Sequence, residues 1–278
     1  MSQFTRRSLF AAGASLAGLG VLSACGAGVT ESGGKKGTVV VGASPVPHAK
    51  ILEFVRDNLA EDAGISIEIK EYTDYIMPNK DLATKDLDAN FYMSIPYFET
   101  ETKANDFAFT PGKGVHVEPM GVYSETAKSP EEIADGAEVA IPNDPTNRGR
   151  ALFVLQSAGV LTVKDGVEMT AATPDDVSEN AKNLTFTELE AAMIPRSLKD
   201  FGAAVVNGNY AIEAGLTPSE DSIFIEPGED NPNANILAWR TEDDGNEDIK
   251  KLEELLHSAE VKKFIQDTYK DGSVIPAF

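Results

Sequence analysis

The chain has 278 residues, 42% hydrophobic and 25% charged, which is enough apolar mass for one large or two modest globular domains. Its 45 acidic residues outweigh 24 basic ones, for a formal net charge of −21; such a surface repels nucleic-acid phosphates and anionic lipid headgroups. With one cysteine, the chain can form no internal disulfide, and nothing of that kind staples its fold.

The N-terminus opens with Arg6-Arg7 and no acid, and Phe10 to Leu22 is small or apolar. That stretch is shorter than the ~20 residues of a membrane span and matches the apolar core of a signal peptide. The arginine pair resembles a twin-arginine export signal, and the general secretory route, whose signals also begin with basic residues, stays open. Leu22-Ser23-Ala24-Cys25 then resembles a bacterial lipobox, in which the thiol is acylated and cleavage makes Cys25 the first residue. A buried free cysteine is the bland alternative. Its position directly after the apolar stretch favours lipidation. Residues 1–24 are therefore expected to be a signal peptide, and residues 25–37 a lipidated cysteine with a flexible Gly-Ser-Lys tether. No later stretch approaches spanning length, which places the body at the outer face of a membrane.

The body begins with Thr38-Val39-Val40-Val41, a β-branched run that predicts a buried strand. Ile51, Leu52, Val55 and Leu59 recur at helical spacing, and Ile65 to Lys70 alternates with period two. Strand, helix, strand in about thirty residues is a βαβ unit, so parallel sheet is expected. Further strands are predicted at 115–117, 138–141 and 203–206. Asp144-Pro145 supplies an N-cap and first-turn proline for a helix carrying Leu152, Val154 and Leu155. Residues 248–270 read as helical. The alternation predicts two parallel-sheet lobes. Ligands of open α/β sheets bind at the carboxyl ends of strands, here the loops after Val41, Asp88, Ile141 and Val206.

Catalytic and metal motifs are lacking. Histidines occur only at 48, 116 and 257, far apart in sequence, so no metal site is expected, and His48 reads as a loop or helix-start residue. No nucleophile elbow, Walker loop or H-E-x-x-H pair is present, and no cofactor is implied. Recognition chemistry is better represented. Tyr75, Tyr92 and Tyr97 concentrate aromatic surface, and Tyr92 and Ser94, two apart on an extended segment, share a face. Such a cluster by itself is more often core than pocket. Arg150, in the first turns of the helix begun at Pro145, is shaped to grip a carboxylate or, more blandly, to pair with a nearby acid.

Four stretches give these residues a common meaning: Asp88-Ala89-Asn90-Phe91-Tyr92 with Pro96-Tyr97, Val115-His116-Val117-Glu118-Pro119-Met120-Gly121, Ile141-Pro142-Asn143-Asp144-Pro145-Thr146-Asn147, and Val206-Asn207-Gly208-Asn209-Tyr210-Ala211. In this order and spacing they resemble the methionine-binding lipoprotein family of the NlpA/MetQ type, from about Val39 to the C-terminus. The resemblance implies a two-lobed, periplasmic-binding-protein-like α/β fold of type II, with a hinge and an interlobe cleft. Its lobes would comprise residues 38–118 with 229–278, and 119–228. It implies a monomeric, non-enzymatic role: capture of D- or L-methionine for the permease and ATPase of an ABC importer. Tyr75, Tyr92 and Tyr97 would wall the ligand side chain, Arg150 would take its carboxylate, Asn207 would bond its backbone, and Glu118 would meet the ammonium. The family motif usually carries a histidine where Ser94 stands and a phenylalanine where Tyr92 stands. The smaller group opens volume and the phenol adds a hydrogen bond, so another amino acid or a short methionine-containing peptide remains an alternative ligand. An adhesin or scaffold lipoprotein, or a hydrolase on the same fold, are the rivals of other classes.

Overall fold

The computed structural model describes residues 37–278; the arginine pair, the apolar stretch and Cys25 lie outside the described residues. In chain order the first part contributes β1 (Thr38–Ala43), α1 (Lys50–Asn58), β2 (Ser66–Glu71), α2 (Met77–Ala83), β3 (Ala89–Ser94), α3 (Ile95–Asn105) and β4 (Phe109–Val117). The middle contributes β5 (Gly121–Tyr123), β6 (Glu138–Pro142), α4 (Pro145–Ser157), β7 (Thr162–Val163), β8 (Val177–Glu179) and β9 (Thr185–Leu189). It continues with β10 (Ala203–Val206), α5 (Gly208–Glu213), α6 (Pro218–Asp221) and β11 (Ser222–Ile225). The chain ends with β12 (Ala234–Arg240), α7 (Glu247–Leu256), α8 (Ala259–Thr268) and β13 (Ile275–Pro276).

Two sheets organise these elements into an α/β molecule of two lobes. The first has the order β13-β4-β12-β3-β1-β2, the second β11-β5-β10-β6-β9, and β7 and β8 form a separate hairpin-like pair. Strands β1, β2 and β3 are mutually parallel, as are β6, β9 and β10, which is the outcome expected of βαβ units. Neither sheet is wholly parallel, however. The chain leaves the first sheet through residues 118–120 and returns through residues 226–233, so β5 and β12 enter antiparallel to their neighbours. Sequence periodicity reports burial, not strand direction, and could not reveal this.

Each lobe has its own core. In the first, Val39, Val41, Ala89 and Phe91 pack beneath α1, α7 and α8 through Ile51, Leu52, Val55, Ile249, Leu252, Val261 and Ile265. In the second, Val122, Val139, Ile141 and Val205 meet Ala151, Leu152 and Leu155 of α4. At about 25 cal/mol per Å² of apolar surface removed from water, burial of these two clusters contributes to the drive to fold. The segment predicted as one helix over 248–270 is two. His257 ends α7 outside helical geometry, and Ser258 caps α8 by accepting from Val261 N. The apolar spacing continues across this break because both helices cover the same core. No described helix is long and apolar enough to cross a membrane.

Candidate functional site

A cavity of about 360 Å³, its mouth included, lies where the carboxyl ends of β1 and β3 face those of β6 and β10. That is the location open α/β sheets reserve for ligands. All seven residues expected at a binding site, Tyr75, Tyr92, Ser94, Tyr97, Glu118, Arg150 and Asn207, line it. So do His48, Asn147, Gly208, Asn209 and Asn235, which were not expected there.

The aromatic wall grows from β3 and the turn that begins α3. Ala89 and Phe91 point into the core beneath α1, which leaves Tyr92 and Ser94 on the opposite face. Pro96 occupies the first turn of α3 and presents Tyr97 beside them. Tyr75, from the β2–α2 connection, sits among three other rings. Its centroid lies 5.8 Å from Tyr92, 5.7 Å from Tyr97 and 4.9 Å from Tyr210. The hydroxyls of Tyr92 and Tyr97 both donate to Tyr75 O, at 2.9 and 3.3 Å. Burial raises the pKa of all three phenols, so they remain neutral donors at any physiological pH. Two bonds cross between the lobes here: Tyr75 Oη donates to Asn209 Oδ1 at 2.6 Å, and Tyr210 Oη donates to Thr73 O at 3.2 Å. The lobes are closed on each other at this edge.

The opposite end of the cavity is polar and charged. Asp144 caps α4 by accepting from Asn147 N at 2.9 Å, and Asn147 Oδ1 accepts from Asn207 Nδ2 at 2.9 Å. This relay leaves Asn207 Oδ1 buried and without a partner among the described residues, and Asn209 Nδ2 is in the same condition. Orphaned polar atoms on a cavity wall are costly unless a ligand satisfies them. Arg150, 5% exposed, projects from the second turn of α4. Gly149 allows that placement, because a Cβ there would fall 1.7 Å from Met169 O, on the turn packed against α4. Gly208 plays a similar part at the start of α5, where a Cβ would come within 2.8 Å of Glu118 Cβ.

Glu118 carries the negative charge of the site. Burial raises its pKa, while His48, Arg150 and the Asn209 N–H act in the other direction. Its Oε1 lies 2.7 Å from His116 Nε2 and 3.2 Å from His48 Nε2. His48 Nε2 also approaches Asn235 Oδ1 at 3.2 Å, which marks it as the protonated nitrogen. Burial pushes the pKa of His48 down to about 4 and that of His116 to about 3. Both rings are therefore neutral donors to one carboxylate at pH 7. These three residues bring potential metal-donor atoms within 4.8 Å of one another. Their hydrogen bonds to each other already account for that proximity.

His48 stands in the turn that leads into α1, as expected of a loop or helix-start residue, and it also lines the cavity, which was not expected. It lies in the turn Pro45–Ala49 after β1, is 1% exposed, and shares a buried cluster with His116, 68 residues away in sequence. The signal was present: the turn follows a predicted buried strand at its carboxyl end. Asn235 was invisible to such reasoning, because only the returning strand β12 carries it between β3 and β4.

The sequence profile of the family described as NlpA lipoprotein matches residues 39–278. The methionine-binding lipoprotein MetQ of Bacillus subtilis is 39% identical over 273 residues, covering 97% of this chain and 98% of the relative. Among solved structures, a nutrient-binding protein of Burkholderia cenocepacia bound to methionine superposes with a TM-score of 0.82 at 38% identity, covering 86% of this chain and all of that one. An ABC-transporter periplasmic substrate-binding protein of Coxiella burnetii gives 0.81 at 33% identity, over 86% of this chain and all of that one.

Proposed function

The chain belongs to the NlpA lipoprotein family, and from that premise we propose that it is a lipid-anchored, extracytoplasmic solute-binding protein that captures methionine for an ABC importer. It is a binding protein, not an enzyme. The observation that carries the reading is the presence of a basic and an acidic side chain at one end of a tyrosine-walled cavity. Arg150 and Glu118 are both buried there, 5% and 5% exposed, with two orphaned amide atoms between the lobes. A zwitterionic amino acid fits both charges and both amides.

In this assignment the ligand carboxylate meets Arg150 Nη1 and Asn209 Nδ2, and the ammonium meets Glu118 and Asn207 Oδ1. The thioether packs against Tyr75, Tyr92 and Tyr97, each sulfur–ring contact being worth ~0.3–1.5 kcal/mol beyond area burial. Ser94 leaves room beside the rings. The lobes, residues 38–118 with 229–278 and residues 119–228, hinge at their two crossings, and closure over the ligand forms the surface a permease reads. Such a protein works as a monomer with its anchor at Cys25, tethering the body to the outer face of the membrane.

A thermal-shift screen of the twenty amino acids tests this. Methionine at a hundred times its Kd should stabilise the protein by about 2.7 kcal/mol, a rise of several degrees in Tm. No shift with any amino acid would favour a scaffold role; degradation of an added peptide would favour a hydrolase.

A further inference from the structure

Glu226 lies outside the cavity lining, yet it holds the residue on which carboxylate recognition depends. It is the first residue after β11, where the chain starts back toward the first lobe. Its backbone N–H donates to Met120 O at 3.0 Å, and its Oε1 accepts from Met120 N at 2.9 Å. Met120 is the last residue of the other crossing. The same carboxylate takes the Arg150 guanidinium along one edge: Nη2 donates to Oε1, and Nε donates to Oε2 at 3.3 Å. Nη2 also donates to Glu118 O, at 2.9 Å. Arg150 thus borders the cavity on one side and, on the other, an outer groove that it shares with Glu226 and Phe153.

Resting on the methionine reading above, we propose that Glu226 is a positioning residue for Arg150, fixing the guanidinium so that its Nη1 is held toward the ligand carboxylate. Two of three nitrogens are committed to Glu226 and Glu118 O, and Nη1 makes no hydrogen bond among the described residues. An arginine side chain brings considerable rotamer freedom to a site, and a bidentate carboxylate on its far edge removes it before the ligand arrives. The carboxylate also neutralises a guanidinium that would otherwise be buried alone, which is strongly unfavourable. Because Glu226 and Met120 stand on separate crossings, the same fork fixes Arg150 relative to both hinge segments.

The opposite role, a competitor that the ligand must displace, predicts the reverse effect, so experiment can decide. Kd is measured by calorimetry on the full-length protein for methionine and for methioninamide, which keeps the ammonium and thioether but lacks the carboxylate charge. The proteins compared are the wild type, Glu226→Ala and Glu226→Gln; the isosteric amide carries the test should the alanine variant fail to fold. A positioning role predicts that both variants lose about tenfold or more in methionine affinity, or about 1.4 kcal/mol, while methioninamide affinity changes by less than about threefold. Discrimination between the two ligands would then collapse. Equal losses for both ligands would mean a merely structural role, and tighter methionine binding would mean competition; either overturns the proposal. A wild-type protein that binds neither ligand sinks the methionine reading, and this proposal with it.

Discussion

Replacing Arg150 with alanine should separate stability from binding in a way only a buried, shared guanidinium allows. The Arg150 and Glu226 side chains are 6% and 10% exposed, so solvent screens their pairing little. Removing one partner of such a pair typically costs about 3–5 kcal/mol, because the other charge stays buried. Here Glu226 keeps the Met120 N–H, so about 3 kcal/mol is expected for Arg150→Ala. Adding Glu226→Gln removes the stranded charge and should recover about half of that loss. Binding should not follow. The single and double variants should both lose methionine affinity by about a hundredfold or more, since neither supplies a cation for the carboxylate. Urea unfolding followed by the fluorescence of Trp239, the chain's one tryptophan, gives the first quantity, and calorimetry gives the second. Methionine affinity in either variant within about threefold of wild type would refute the assignment of Arg150.

Stability should fall on mild acidification. His48 and His116 are held near 4 and 3, below the ordinary 6.5, so between these values the unfolded chain binds more protons than the folded one. Each histidine contributes a slope of about 1.4 kcal/mol per pH unit across its window. Glu118 and Asp144, raised by burial, act in the opposite sense just above their ordinary range and reduce the net slope. Urea midpoints should therefore drop by an amount equivalent to about 1–3 kcal/mol between pH 7 and pH 5, and a flat profile counts against neutral buried histidines. Gly149→Ala should destabilise by about 1–3 kcal/mol and weaken methionine binding as well, since its Cβ strikes Met169 O beside Arg150; unchanged unfolding and affinity would contradict the close approach. Cys25→Ser should move the protein from the membrane fraction to the soluble fraction of cells, and membrane retention without the thiol would count against lipidation there.

Much of the fold was legible because local signals coincided with tertiary demand. Thr38 to Val41 is β-branched, with Val39 and Val41 fully buried, Asp144-Pro145 caps and starts a helix, and Ala203 to Val206 is a central strand. Tyr92, Ser94 and Arg150 reach one cavity because β3 and α4 present their side chains by simple periodicity, whereas Tyr75, Tyr97, Glu118 and Asn207 were legible there only through the family resemblance. What sequence could not show depends on pairing at a distance. The antiparallel entries of β5 and β12 follow from where two crossings connect the sheets. The meeting of His48 with His116 follows from β1 and β4 lying in one sheet with β3 and β12 between them. Glu226 looked like one acid among 45, and only its place at the second crossing, against Arg150, sets it apart.

Calorimetric titration of the purified protein with methionine tests the central claim most directly. One ligand per chain, with a Kd of about 10 μM or tighter (roughly 7 kcal/mol or more of binding free energy), is the result expected of a dry cavity holding both charges of a zwitterion. Absence of heat at every temperature tried, together with no change in Tm at millimolar methionine, would contradict it.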